Sequence, residues 1–351
     1  MLDISNEEKH LAAARQGNAQ HFSELTEPYR RELQVHCYRI LGSLHEAEDM
    51  VQETFFKAWK HIGNYEGRAS FRSWLYKIAT NTCLDYLDSK RSRGLHPPRR
   101  QLPFQSFPAS DPQTILPPST ELTWLEPLPD EWLVDSSAVD PESYFSETES
   151  VSLSFLTALQ LLPPRQRAVL ILRDVLDFSA SETAEVLELT LSSVNSLLHR
   201  ARKALAENYR SPVVVNPRTD KKTQWLLDRY VRAWKSADVD GLVALLKRDA
   251  IIAMPPSPSW YQGRAAIAKF TAMSVFGIGG MFPGKARNRW QLLPTRANGA
   301  SAFVLYQRDE QNHYQAFGLQ ILILQSGKIS QIINFIDPGL PAKFGFPDEL
   351  K

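Results

Sequence analysis

Cysteine is scarce: the 351 residues contain two, Cys37 and Cys83. Two thiols supply neither a disulfide framework nor a zinc ligand set, and they fit a reducing, cytoplasmic setting. Long apolar runs are missing too. The densest, Leu319 to Leu324, spans six residues and includes Gln320, against the ~20 that cross a bilayer. The N-terminal MLDISNEEKH is polar and acidic, with no apolar signal core, so export is not expected. Proline is nearly absent from the first 93 residues, where Pro28 stands alone. Lysine and arginine are absent from residues 101–164, which carry ten acidic residues.

What is present argues for a folded chain of two or three domains. The hydrophobic fraction is 43% with eight Trp, enough for real cores, which excludes a wholly disordered protein. Net charge is +1, but it is unevenly spread. Two weakly basic segments, 1–100 and 165–222, flank the strictly acidic one, and a third, more basic segment follows. Single-sign blocks mark linkers or partner-binding tails.

Prolines divide the chain. Residues 1–95 read as helical. Leu44, Ala47, Val51, Phe55, Ala58, Trp59 and Ile62 recur at spacings of three and four and predict one face of a helix. A second helix starts after the N-cap Ser70 and runs to about Ser89. Ten prolines between 97 and 141 forbid a long helix, so 96–149 reads as an extended acidic linker, ordered on binding. Helices resume over 150–210: Leu153 to Leu162, Gln166 to Leu176, Glu182 to Glu188 and Ser192 to about Glu207. The last two, with a short break between them, match a helix-turn-helix. A Pro-bounded linker, 211–222, leads to 223–351. There an amphipathic helix from Trp225 to Trp234 and a short helix ending at Leu246 precede strand-like runs at 290–293, 302–307, 314–324 and 329–336. Gly327-Lys328 reads as a hairpin turn.

A helix-turn-helix presents the start of its second helix to the major groove. The candidates for duplex contact are Ser192, Ser193, Asn195, Ser196 and His199, with Arg200 and Arg202 behind them. Asn suits adenine, and Arg suits guanine or phosphate. The N-terminal segment carries a different signature. Its helix over 44–62 bears an acidic cluster, and the next interleaves Phe71, Trp74 and Tyr76 with Arg72 and Lys77. Bases stack on aromatics while cations neutralise phosphates, so that helix suits single-stranded nucleic acid. Packing alone would also explain Trp74.

The run A-E-D-M-V-Q-E-T-F-F-K-A-W (47–59), then F-R-S-W-L-Y-K-I-A-T-N (71–81), resembles region 2 of bacterial sigma-70-type factors of the extracytoplasmic-function group. L-P-P-R-Q-R-A-V-L-I-L-R-D (162–174), followed by L-L-H-R-A-R-K-A-L (197–205), resembles region 4 of the same group. The resemblance implies partners and roles. Core RNA polymerase would be bound at its largest-subunit clamp helices by Glu48, Asp49, Gln52, Glu53 and Trp59, and at its flap by region 4. The loop 64–69 with Arg72, Lys77, Asn81 and Asp85 would capture and melt the −10 element of promoter DNA; splaying out a base costs a few kcal/mol, which that surface must offset. Region 4 would read the −35 element, and the acidic linker would thread toward the polymerase active site. Its length and proline content depart from the family pattern.

Residues 223–340 resemble the NTF2-like or SnoaL-like cone, an extension that a subset of these factors carries. The expected fold is therefore multi-domain: two all-α sigma domains plus a C-terminal α+β cone. Met254, Trp260, Tyr261, Tyr314 and Phe335 are candidate pocket residues. His313 and Asp337 are the acid–base candidates, but each sits in a turn-like sequence, so no enzyme activity and no cofactor or metal is expected. Regulation of the sigma regions is the expected role of this module, and an anti-sigma protein or a small-molecule regulator is a partner this architecture allows. A run like the family's D-G-G-G-K signature is missing. Two other classes compete: a duplex-DNA regulator that is no polymerase subunit, and an NTF2-like enzyme fused to a DNA-binding module. The strand-melting signature at 71–81 opposes the first, and the lack of a clear polar pair opposes the second.

Overall fold

The computed structural model describes residues 4–93, 100–119, 123–133, 148–209, 220–278 and 286–350. They divide into two compact units, one drawn from 1–100 and 131–210, the other from 101–130 and 211–351.

The first unit is helical. Helix α1 (Ile4–Arg15) pairs with α2 (Ala19–Thr26), whose first turn is capped by the Asn18 side chain accepting from the Gln20 and His21 N–H groups. Helix α3 (Arg30–Leu41) stops at Gly42, which takes φ 72° and returns its N–H to the Tyr38 carbonyl. A side chain would be strained there. Ser43 then caps α4 (Leu44–His61), and Ser70 caps α5 (Phe71–Ser92), each through its hydroxyl. Leu44, Ala47, Val51, Ala58 and Ile62 of the expected stripe are buried, as are Leu33, Cys37 and Ile40 of α3 and Leu75, Ala79 and Cys83 of α5. Both thiols are free and buried, and burial pushes that of Cys83 well up. His36 is a core histidine: burial first, then Arg39 and Arg72, lowers its imidazole to about 3, and Nε2 meets Thr80 Oγ1 at 2.8 Å. Glu46 accepts from Lys90 at 2.6 Å and Arg100 at 2.8 Å. Burial opposes its ionisation, yet Arg100 and Lys90 hold its carboxyl below the usual value.

Region-4-like helices complete this unit: α6 (Leu153–Gln160), α7 (Pro164–Leu170, wound wider over 171–175), α8 (Ala180–Leu187) and α9 (Leu191–Asn208). Pro164 at the first turn of α7 costs nothing, because its missing N–H would have no helical partner. Ser179 and Glu182 close a reciprocal capping box on α8. The buried guanidinium of Arg167 donates to the carbonyls of Leu159, Gln160 and Leu162, to Gln160 Oε1 and to the Ile40 carbonyl at the end of α3.

The second unit is an α+β cone. Its sheet runs β2-β1-β6-β5-β4-β3, with β7 added to one end of β5. The strands are β1 (Leu246–Ala253), β2 (Trp260–Gln262), β3 (Trp290–Ala297), β4 (Ala300–Arg308), β5 (Tyr314–Gln325), β6 (Lys328–Phe335) and β7 (Glu349–Leu350). β1 and β6 are parallel and the other pairs antiparallel. Helices α10 (Lys221–Ser236), α11 (Val239–Leu245) and α12 (Arg264–Phe270) contribute Leu226, Tyr230, Trp234, Leu245 and Phe270 to a core shared with Trp290, Phe303 and Ile332 of the sheet. The hairpin turn falls on Ser326 and Gly327, both with positive φ, one residue before the expected position. Lys328 is thereby free to begin β6.

Residues 101–119 and 123–130 are not a free linker. They strap the cone. Trp260 Nε1 donates to the Phe107 carbonyl at 2.9 Å, Tyr261 Oη to that of Thr114 at 2.7 Å, and Ser257 Oγ to that of Leu116 at 2.7 Å. Leu128 N–H donates to Asn298 Oδ1 at 2.9 Å, and Asn298 N–H returns to the Leu128 carbonyl at 3.0 Å. Asp130 pairs with Arg296 at 2.9 Å. Leu102, Leu125 and Leu128 are buried. Prolines forbid a helix here, but an extended chain can still bury leucines and pair its backbone with another surface. Much of the rest of the expected linkers, 94–99, 134–147 and 210–219, lies outside the described residues.

Candidate nucleic-acid interface

One outward face of α4 repeats at the helical spacing: Asp49, Gln52, Glu53 and Phe56. Asp49 and Gln52 are exposed, and Glu48, Glu53 and Trp59 are half-buried. Trp59 rests edge-on against Phe22 at 5.1 Å. Phe56 is 53% exposed, with Lys60 Nζ 4.6 Å from its ring centre. Sequence reasoning missed it. The signal was the Phe55-Phe56 pair, since a helix can turn only one of two neighbours inward.

The loop before α5 and the first turns of that helix line a cleft of about 240 Å³. Tyr65 and Trp74 stand beside it with ring centres 5.1 Å apart. Trp74 is half-buried on the cleft wall rather than lost in the core. Tyr65 lies in the loop 64–69 expected to meet the −10 strand, and Trp74 is one of the aromatics of the helix that follows it. Helix α8 closes the other side with Glu182, Glu185 and Val186. Hydrogen bonding by Ser179, through its side chain first and then its backbone N–H, holds the Glu182 carboxyl below its ordinary value.

Each residue expected on the −10 surface has a partner inside the protein. Arg72 pairs with Glu32 at 3.0 Å and lies over the Tyr76 ring. Lys77 reaches Glu188 at 3.5 Å. Asn81 Nδ2 donates to the Val186 carbonyl at 3.1 Å. Asp85 stands 3.9 Å from Lys57. So α8 covers the middle of α5 in this conformation.

The helix-turn-helix forms as expected. Glu188 takes φ 54° to end α8, and Thr190 caps α9 by accepting from the Ser193 N–H. Ser192, Asn195, Ser196, His199, Arg200 and Arg202 are exposed and Ser193 is half-buried. Arg202 makes two hydrogen bonds to Asp174, at 2.9 and 2.6 Å. It braces α9 against the end of α7 in this state.

The five candidate pocket residues have different surroundings in the cone. Met254 and Tyr261 belong to the core. Trp260 and Tyr261 are the residues the strap holds. Phe335 is buried on β6, and Tyr314 lies at the β7 end of β5, donating to the Asn288 carbonyl. His313 pairs with Glu349 at half-exposed positions, and Asp337 accepts from Gly339 N–H in a turn. Inside the cone a buried chain, Tyr230 to Gln320 at 2.6 Å and Gln320 to Asn334 at 2.5 Å, links neutral groups that satisfy one another. Among the described residues no helix is long and apolar enough to cross a membrane.

Residues 25–93 match the Sigma-70 region 2 family, and residues 152–205 match Sigma-70, region 4. Over its whole length the chain is 41% identical to the ECF RNA polymerase sigma factor SigG of Mycobacterium tuberculosis, covering 90% of that protein. The chain belongs to the ECF sigma factors. As a member it binds core RNA polymerase and directs promoter-specific initiation. The sigma factor SigW of Bacillus subtilis is 27% identical and fits 96% of its length onto 58% of this sigma factor. A whole relative thus occupies little more than half of the chain. The crystal structure of the M. tuberculosis sigma factor SigJ shares the fold, with a TM-score of 0.55 at 21% identity, covering 92% of this chain and 98% of SigJ.

Proposed function

We propose that the surfaces of this sigma factor divide the work as follows. The face of α4 with Glu48, Asp49, Gln52, Glu53, Phe56 and Trp59 docks on the polymerase clamp helices. Tyr65, Trp74, Arg72, Lys77, Asn81 and Asp85 engage the melted −10 strand. The start of α9 reads the −35 duplex. The protein acts in the cytoplasm, with polymerase, and its cone has a regulatory rather than a catalytic role.

The observation that carries this reading is an asymmetry within the helical unit. The α4 face is open, whereas α8 covers α5 through Asn81 and Lys77. Polymerase can therefore be met first, and the −10 surface becomes available once α8 moves aside. The near-neutral net charge of +1 points the same way, because polymerase supplies electrostatic affinity that a lone DNA binder must carry itself. Fluorescence anisotropy on a labelled promoter fragment tests this: the chain alone should bind weakly and without sequence preference, and the holoenzyme tightly. Tight, sequence-specific binding by the chain alone would overturn it. The strap supports the regulatory role of the cone, since the cone holds the segment that joins the two sigma regions.

A further inference from the structure

We propose that His10, His21 and Glu24 form a binding site for a divalent transition-metal ion of the zinc class, clasping α1 to α2. Among the described residues this is the one group of three His, Cys, Asp or Glu side chains whose ligand atoms converge, all within 4.8 Å of one another. His10 Nδ1 lies 3.1 Å from His21 Nδ1 and 3.2 Å from Glu24 Oε2, and His21 Nδ1 lies 3.9 Å from the same oxygen. Around a tetrahedral zinc with bonds of about 2.0–2.1 Å, neighbouring donors stand about 3.3 Å apart. His10 Nδ1 already has that spacing to both partners, and the third separation, 3.9 Å, closes with a small rotation of the His21 or Glu24 side chain.

Hydrogen bonding alone serves this trio poorly. A ring nitrogen has one in-plane direction, and His10 Nδ1 faces two neighbours with it. A dication satisfies all three donors at once, with both ring protons on the Nε2 atoms. Two imidazoles and one carboxylate suit zinc and its neighbours in the Irving–Williams order rather than magnesium or calcium. The supporting contacts are those of a built site. Gln20 Nε2 donates to Glu24 Oε1 at 3.1 Å, leaving Oε2 to face the histidines. Asn18 fixes the backbone of His21 through the helix cap. His21 and Glu24 sit at i and i+3 on α2, one turn of one face. His10 arrives from α1, so no local motif marks the site in the sequence. Three protein ligands leave a fourth position for water. The residue after His21 is Phe22, which packs on Trp59, so metal occupancy stiffens the hairpin behind the α4 face.

The test uses the full-length chain, stripped with a chelator and dialysed. Co²⁺ is titrated with visible absorption, Zn²⁺ is measured by competition against a chromophoric chelator, and thermal melting is followed with and without Zn²⁺. The expected result is one equivalent bound, the intense absorption of low-coordinate Co²⁺, and a melting temperature that rises with Zn²⁺ concentration. H10A and H21A should each weaken Zn²⁺ binding more than about 100-fold, and Q20A about tenfold, the range seen for groups that orient ligands. E24Q is nearly isosteric at a half-exposed position, so it reads the affinity loss even if a histidine variant folds poorly. No one-to-one complex at micromolar Zn²⁺, or a complex that survives E24Q and H21A unchanged, would overturn the proposal.

Discussion

Replacing Arg167 with Met is expected to destabilise the helical unit by about 3–5 kcal/mol, as for other buried charged groups that satisfy several partners. The guanidinium is 5% exposed and gives hydrogen bonds to four carbonyls and one side-chain amide oxygen. Three of the carbonyls, at Leu159, Gln160 and Leu162, lie where α6 ends and the chain turns into α7. The fourth, at Ile40, belongs to the last turn of α3. One side chain thus ties region 4 to region 2. Met fills part of the volume but leaves the acceptors dry. At about 2–4 °C per kcal/mol for a unit of this size, the melting temperature should fall by roughly 6–20 °C. Lys offers three donors on a single atom and cannot reach the same spread, so R167K should rescue little. Arg165, two residues earlier and exposed, serves as the control, with a change within ~0.5 kcal/mol. Equal melting of R167M and R165M would remove the clamp.

Changing Phe56 to Asp should leave the fold intact and cut affinity for core polymerase by about 30-fold or more. An aromatic ring at the centre of a polar face is the usual form of an interface hot spot, worth ~2 kcal/mol or above when truncated. Phe56 has Asp49, Gln52 and Glu53 on its own helix face, and it is 53% exposed, outside the buried core. The added carboxylate also joins an already acidic face, so F56A separates loss of the ring from gain of charge. F56Y should bind nearly as well as the parent chain. Titration of labelled polymerase with each variant gives the affinities, and thermal melting of the free variants checks the fold. Unchanged affinity in F56D would place the docking surface elsewhere.

The helical half was legible because its signals are local. Ser43, Ser70, Ser179 and Thr190 all cap helices, and apolar spacing gave the buried face of α4. The helix-turn-helix appeared where the spacing put it. The failures share a cause: they depend on contacts distant in sequence. β1 was missed because Arg248 and Asp249 interrupt its apolar pattern; Ile251 to Ala253 become a strand by pairing with Gln331 to Ile333 on β6. The strap was missed because prolines report only what a segment cannot form. Its order comes from Trp260, Tyr261, Ser257 and Asn298, more than a hundred residues away. Of the expected site residues, those on α4 and α9 do reach the surface. Of those on α5, Lys77 and Asn81 are engaged by region 4, and Arg72 and Asp85 by Glu32 of α3 and Lys57 of α4, which spacing within α5 cannot show. Phe56 was overlooked, and Trp74 stayed open to a packing role, because an aromatic residue on an amphipathic helix reads as core until burial is known.

Run-off transcription with bacterial core polymerase on fragmented genomic DNA of the host tests the sigma function most directly. The full-length chain and the strap-released D130A/N298A variant would be run side by side, with the 5′ ends of the transcripts mapped. Both should give discrete starts preceded by a shared pair of elements near −35 and −10, and the variant should change the amount of transcript without changing the start sites. Equal amounts from the two would remove the regulatory role of the strapped cone. No starts that depend on the protein, with polymerase active on a control promoter, would contradict its assignment as a promoter-specificity subunit.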